Sequence, residues 1–324
     1  MDDLRRPFRA RPPMSRTGRG RTLACLLLLG AAVAGTAGCG SADATGTAAP
    51  APEPAPASAT ATATASAGAS SGQALPAPAA PLPTDPARLA TALRETATAL
   101  NAAIDRWRPA NGTPPRDVEL LALYQQRLYR HAARHRDLAD RAFARLPAAL
   151  AAQARDNVTA LRELLALTRP IKPSAVFKVQ RARPADELLG HFKRAERRFG
   201  VEWEVLASVM LVESKFGRVR ADSHAGAQGP MQFMPATWRA YGMGGDVQNP
   251  RDAVMAAANY LHASGAPGDN RRALYAYNRS RAYVDAVLLH ARQMRRDPRA
   301  YYAYYNWQVF VLTTAGERRL TGPK

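Results

Sequence analysis

From residue 84 to about residue 168, apolar residues recur at intervals of three and four. The pattern runs through DPARLATALRETATALNAAIDRW, PRDVELLALYQQRLYRHAARHRDLADRAFARL and PAALAAQARDNVTALRELLALT, and this spacing predicts helices. Breaks at PANGTPP and at Leu146-Pro147 divide the segment into two or three of them. Leu120, Leu121, Tyr124 and Leu128 fall where an antiparallel hairpin of helices would bury them. The connector IKPSAVFKVQRARP has some strand character, after which helical spacing resumes. DELLGHFKRAERRF ends at Gly200, a residue that tolerates the positive φ of a helix C-terminus. The next helix, EWEVLASVMLVES, is expected to stop at Gly217. A glycine-rich loop, ADSHAGAQGP, leads to a short helix around PATWRAY. A further helix opens at Asn249-Pro250, with Asp252 three places after the cap, and closes at Gly265. Two more follow, one holding RRALYAYN and one spanning 280–294. AYYAYYNW is expected to pack on the domain before it, and WQVFVLTTAGERRL alternates like a small hairpin. The predicted fold is mainly α with a minor β tail.

Glu213 interrupts this pattern. Leu206, Val209 and Met210 precede it by seven, four and three positions, so all four share one face of a 3.6-residue period. Carboxylates ordinarily take the solvent side, and an ionised one turned toward a core carries a desolvation cost unless something compensates. In a purely structural role the compensating partner would be an arginine such as Arg218. In a functional role the apolar setting itself is useful, because burial favours the protonated acid.

The N-terminal 84 residues follow a different logic. Residues 1–22 carry seven Arg and two Asp, followed by the apolar run CLLLLGAAVAG and then TAGC. This is the pattern of an export signal, too short to remain as a membrane span. TAGC is similar to a bacterial lipobox, with Thr36 where leucine is usual, so residues 1–38 are expected to be a lipoprotein-type signal and Cys39 the lipidated N-terminus. Cleavage after Ala37 with full secretion is the alternative. Residues 39–84 are nearly all Ala, Pro, Thr, Ser and Gly, which leaves little to bury. They predict a disordered tether able to hold a domain on the order of 40 Å from its anchor. The two cysteines are Cys25 and Cys39, so the expected mature chain has no internal disulfide.

The formal charge of +19 falls to about +14 beyond residue 22. In an exported protein this favours anionic cell wall or lipid headgroups. Only five of the 45 basic residues are lysine, so the excess also fits the Arg, Ala and Pro bias of a GC-rich genome. No nucleic-acid recognition motif is present, and no nucleic-acid partner is expected. His131 and His135 stand four apart without a third metal ligand, which suggests solvated or capping histidines.

Three stretches stand in order: VESKFG, AGAQGPMQFMPATW and ALYAYNRSRAYV, with NPRDAVMAAANYL between the last two. Together, over about 187–294, they closely resemble the lysozyme-like catalytic domain of lytic transglycosylases, particularly the membrane-bound lytic transglycosylase B type with its QFMP signature. The resemblance implies that Glu213 is the catalytic acid, that Ser223 and Gln232 line the sugar-binding cleft, and that Tyr260, Tyr277, Asn278 and Tyr283 supply further cleft positions. It implies cleavage of the β-1,4 bond between N-acetylmuramic acid and N-acetylglucosamine in peptidoglycan, leaving a 1,6-anhydromuramoyl end. The expected organisation is a helical module at 85–170, a catalytic domain at 184–297 and a β hairpin-like tail at 298–324.

Ordinary glycosidases flank the scissile bond with two carboxylates. One suffices if the muramoyl C6 hydroxyl is the acceptor, because the same carboxyl can donate a proton to the leaving oxygen and then take one from that hydroxyl. A hydrolytic muramidase would want a second acid, and Asp222, Asp246 and Asp252 are the acids between Glu213 and Asp269. A wall-binding protein without activity is the remaining alternative, though it has no need of a buried acid. Relatives carry a calcium loop after the QFMP helix, but YGMGGDVQNPRDA lacks its alternating acids, so neither a metal nor any other cofactor is expected. Arg279 stands where many transglycosylases have another residue.

Overall fold

The computed structural model describes residues 74–108, 112–223 and 225–324. The predicted export signal, both cysteines and the tether up to residue 73 lie outside the described residues, as do 109–111 of the first predicted break and His224 of the glycine-rich loop.

The first segment folds as four helices rather than two or three: α1 (Pro86–Trp107), α2 (Arg116–Arg134), α3 (Arg136–Phe143) and α4 (Ala148–Ala166). Asp85 caps α1 by accepting from Ala87 and Arg88 N–H, and Pro86 opens it, a pairing that satisfies donors the helix cannot use itself. The additional break falls at His135, whose backbone (φ −122°, ψ 82°) leaves the helical region. Its Nδ1 lies 2.9 Å from the His131 carbonyl oxygen, so the ring is engaged at the helix end. Leu120, Leu121 and Leu128 are buried as expected, while Tyr124 is half-buried.

The second segment comprises α5 (Ala185–Phe199), α6 (Trp203–Ser214), α7 (Pro235–Tyr241), α8 (Pro250–Ala263), α9 (Asn270–Tyr277), α10 (Arg281–Arg296) and α11 (Arg299–Tyr305). β1 (Phe310–Thr313) and β2 (Gly316–Arg319) then form the antiparallel hairpin, with Phe310 opposite Arg319 and Thr313 opposite Gly316. The connector's strand character appears as isolated bridges, Ile171 to Thr313 and Val179 to Val219. Asn249 caps α8 as predicted, but Asp252 does not return to the cap. Its Oδ2 accepts from Asp246 N–H at 3.2 Å.

One hydrophobic cluster runs through both segments, joining Leu93, Leu100 and Ile104 of α1 and Leu161 and Leu164 of α4 to Leu206 and Met210 of α6 and Val284 and Val287 of α10. At the surface of the α4–α10 contact, Asp156 accepts from Arg292 Nε at 2.9 Å. Gln126 of α2 donates to the Gln308 carbonyl at 2.9 Å and accepts Gln308 N–H at 2.8 Å, a buried exchange that fixes the C-terminal tail to the N-terminal helices.

The expectation for α6 requires correction on two counts. The helix ends at Ser214, three residues before Gly217, and it has no solvent face: residues 205–214 are all buried. A helix enclosed on every side is apolar all round, and α5, α8, α10 and α11 supply the enclosure.

AYYAYYNW packs inward, as expected, but as helix α11, so the hairpin-like tail starts at Phe310 rather than at 298. Tyr301 of α11 is fully buried, its ring lies edge-on to Phe192, Trp203 and Phe216, and its hydroxyl donates to the Ala185 carbonyl at 2.7 Å. Tyr301→Ala is therefore expected to destabilise the protein by ~3–5 kcal/mol, and Tyr301→Phe by ~1 kcal/mol. Urea unfolding of the two variants checks both values.

Candidate active site

Glu213 lies in the last turn of α6 with 4 % of its surface exposed. Burial pushes its carboxyl up to about 8, opposed by the Tyr283 phenol and the Lys215 ammonium. The cation beside it is thus not Arg218, as a structural ion pair would have had it. Arg218 instead lays its guanidinium over the Tyr305 ring, 4.9 Å from the centroid, and donates to the Lys215 carbonyl at 3.1 Å. Lys215 turns back along α6, and its Nζ donates to the Leu211 carbonyl at 2.9 Å. Burial brings this ammonium down to about 8.

The chain leaves α6 through three successive left-handed residues, Lys215 (φ 52°), Phe216 (φ 58°) and Gly217 (φ 79°). For the two side-chain-bearing residues this conformation costs on the order of 1 kcal/mol or more each, and such strain clusters at functional sites. Ser214 secures the exit. Its Oγ donates to the Pro230 carbonyl at 2.6 Å and accepts Gly217 N–H at 2.9 Å, tying the end of α6 to the QGPMQF loop.

That loop is a tight hairpin in which Gln228 and Phe233 exchange two backbone hydrogen bonds of 2.9 Å. Only glycine fits at 229, where φ is 72° and a Cβ would lie 1.9 Å from the Val247 carbonyl oxygen. Gln232 is held at φ 52° with its side chain buried. Its Nε2 donates to the Gly229 carbonyl at 2.8 Å, while its Oε1 is buried without a donor among the described residues.

Tyr277 and Tyr283 complete the surroundings of Glu213. The Tyr277 hydroxyl donates to the Met231 carbonyl at 2.6 Å, and its ring meets Phe233 edge-on at 5.8 Å. Tyr283, in the first turn of α10, is 1 % exposed. Its hydroxyl approaches Glu213 outside ordinary hydrogen-bond geometry and has no other partner among the described residues. Burial, and then the Glu213 charge, raise both phenols. Tyr260 donates its hydroxyl to the Ala276 carbonyl at 2.8 Å, and its ring bridges Tyr277 at 5.6 Å and Tyr241 at 4.6 Å. Asn278 is buried directly after Tyr277 and closes α9 through its N–H on Leu274. Ser223 donates its backbone N–H to the Ala227 carbonyl at 2.9 Å and accepts Ala227 N–H on its Oγ at 2.9 Å, which closes its own loop.

The structure therefore joins Glu213, Tyr260, Tyr277 and Tyr283 into a cluster by ring and charge contacts, with Gln232 next to the Met231 carbonyl that Tyr277 holds and Asn278 next to Tyr277 in the chain. Sequence reasoning missed Ser214, Lys215 and the Met231 carbonyl. The first two stand in VESKFG itself, but nothing in their identity signals that both turn inward. Of the three acids that could have been a second carboxylate, Asp222 is exposed. Asp246 and Asp252 accept Gln248 N–H and Asp246 N–H within their own loop. A groove of about 600 Å³ lined by residues including Arg183, His191 and Arg220 contains none of the cluster residues. Glu213 stands out by its burial and its partners, not by the size of a cavity beside it.

A buried acid beside an aromatic row, on a helix enclosed by other helices, is what a glycan-cleaving enzyme of the lysozyme-like class presents. Residues 190–297 match the family model of the Transglycosylase SLT domain. The chain thus carries a transglycosylase domain of the lytic transglycosylase kind, which acts on peptidoglycan glycan strands. No curated protein and no solved structure matches the chain.

Because the folded carboxyl value lies above that of an unfolded one, the native state retains an extra proton between about 4.5 and about 8, and stability falls as pH rises through that window. Glu213→Gln removes this loss. The variant is expected to match the wild type near pH 4.5 and to exceed it at pH 8 by about 4–5 kcal/mol. Urea unfolding of both proteins across this range measures the difference, and a pH-independent gap would count against the buried acid.

Proposed function

We propose that the protein cleaves the β-1,4 bond between N-acetylmuramic acid and N-acetylglucosamine and closes a 1,6-anhydromuramoyl ring, with Glu213 acting as acid and then as base. The observation that carries this is a nearly inaccessible carboxyl whose electrostatic partners are Tyr283 and Lys215, with no second carboxylate among them. A protonated Glu213 donates to the leaving glycosidic oxygen. The resulting carboxylate accepts the proton of the muramoyl C6 hydroxyl as that oxygen attacks C1, so the acid is restored and no water is consumed.

Lys215 and the Tyr283 phenol stabilise the carboxylate between these two steps, when burial opposes it most. Gln232 Oε1 is a buried acceptor, and leaving such an atom unpaired costs ~1–3 kcal/mol. A sugar hydroxyl or acetamido N–H in the cleft supplies the missing donor. Tyr260, Tyr277 and Asn278 present ring and amide surface beside it, and Ser223 shapes the loop that borders it. Inverting hydrolysis would need a second carboxylate to activate water. Asp246 and Asp252 accept hydrogen bonds within their own loop, which leaves the exposed Asp222, the best placed of the three in the sequence, as the acid for that alternative.

The same reading places the enzyme outside the cytoplasm. The Arg-rich and apolar start followed by TAGC supports export with lipidation at Cys39, membrane attachment and a tether, or release to the wall after cleavage at Ala37. The tether is shorter than the expected 39–84, because Ala80 accepts from Arg127 Nη1 at 2.7 Å and Leu82 packs on the core. A helical module at 85–170 and a catalytic domain at 184–297 describe the proposed division of labour, with the shared core holding them together.

The test is digestion of purified sacculi with analysis of released muropeptides by mass spectrometry. The wild type is expected to release anhydro-ended products, and Glu213→Gln to lower their rate by about 10²–10⁴-fold, the usual worth of a general acid–base group. Reducing ends would instead identify a hydrolase.

A further inference from the structure

Arg279 sits between two residues of the cluster's framework and has no assigned role. It occupies the apex of a three-residue turn closed by Ser280 N–H on the Asn278 carbonyl at 2.8 Å. An i to i+2 bond of this kind fixes the central residue. On one side Asn278 is buried against the cluster. On the other, Ser280 caps α10 by accepting Tyr283 N–H. The turn that holds the arginine is therefore set by the same backbone that positions Asn278 and Tyr283.

The Arg279 side chain is exposed and has a seat. Its guanidinium lies 5.7 Å from the centroid of the Tyr275 ring, which is itself 40 % exposed. Its charge also reaches the Tyr260 phenol, which burial raises and Arg279 lowers, so it stands beside the Tyr241–Tyr260–Tyr277 row. What it lacks is a counter-ion: among the described residues no carboxylate pairs with it. Neighbouring arginines are engaged, since Arg271 holds Asp285 at 2.7 Å and Arg272 donates to the Ser264 carbonyl at 3.2 Å. Residues 270–284 contain no acid at all, and Asp285, the first one after Arg279, is the partner of Arg271.

A guanidinium oriented by an aromatic face keeps its fork of donors free for one planar anion, and a carboxylate fits it two-handed. In peptidoglycan the muramoyl unit carries, through its lactyl group, a peptide stem bearing carboxylates. We propose that Arg279, seated on Tyr275 beside the aromatic row, binds a carboxylate of that stem and makes the protein prefer acidic, stem-bearing glycan. The proposal rests on the peptidoglycan reading above and adds the part of the substrate that is recognised outside the sugar chain.

The test uses the full chain in a Glu213→Gln background, so that binding is read without turnover. The ligands are one glycan oligomer carrying free-acid stems, the same oligomer with its stem carboxylates converted to carboxamides, and the stem-free oligomer that retains the lactyl carboxylate. Arg279 is expected to favour the free-acid stems over the carboxamide form by about two- to fivefold, the range of an exposed charge pair. Arg279→Gln should abolish that preference while leaving affinity for the carboxamide and stem-free oligomers unchanged. Equal affinity for acid and amide stems with Arg279 present overturns the proposal. So does a preference that survives Arg279→Gln, or a loss that falls equally on all three oligomers. Because binding alone is measured, a lost preference stands even if muropeptide products contradict the transglycosylase mechanism.

Discussion

Holding one carboxyl away from water is the constraint around which the other features of this structure arrange themselves. An ionised acid at the position of Glu213 would lose its hydration among Tyr277, Tyr283 and the apolar turns of α6, and burial answers by favouring the proton. Enclosure of α6 by α5, α8, α10 and α11 makes that possible; α11 lies outside the segment matched by the family model, and so does α4, which packs on α10. The N-terminal helices and the C-terminal tail are thus more than spacers, since they close the core that surrounds the acid.

Burial alone would produce a carboxyl that holds its proton and never releases it. The exit from α6 corrects this. Two residues with side chains adopt left-handed conformations and turn Lys215 back along the helix, where its ammonium offsets part of the burial penalty on Glu213. Ser214 then ties the strained exit to the hairpin at 228–233, which in turn presents Gln232, and Tyr277 grips that hairpin through the Met231 carbonyl. Ser214 beside the acid, the Gln232 amide and the Tyr277 phenol each donate to a backbone carbonyl of that hairpin. A displacement of any of these elements would be felt by the others.

Much of this was legible in local patterns. The spacing of Leu206, Val209, Met210 and Glu213 put the acid on an apolar face, Gly200 and Asn249 marked helix ends, and the alternation of WQVFVLTTAGERRL marked the hairpin. What escaped has a common cause, because each missed feature is decided by residues distant in sequence. The break at His135 involves neither glycine nor proline. The full burial of α6 depends on four other helices, and the Gln126–Gln308 exchange spans 182 positions. Arg218 was the cation the sequence suggested for Glu213, yet the aromatic ring of Tyr305 captures it and the turn of the backbone brings Lys215 in its place.

The proton on Glu213 is the quantity on which the proposed chemistry depends, and it can be observed directly. Carbon-13 NMR titration of the Glu213 carboxyl, assigned by its loss in Glu213→Gln, should show a protonated group at neutral pH with a midpoint near about 8. A midpoint near 4.5, the ordinary value for a glutamate carboxyl, would contradict the account.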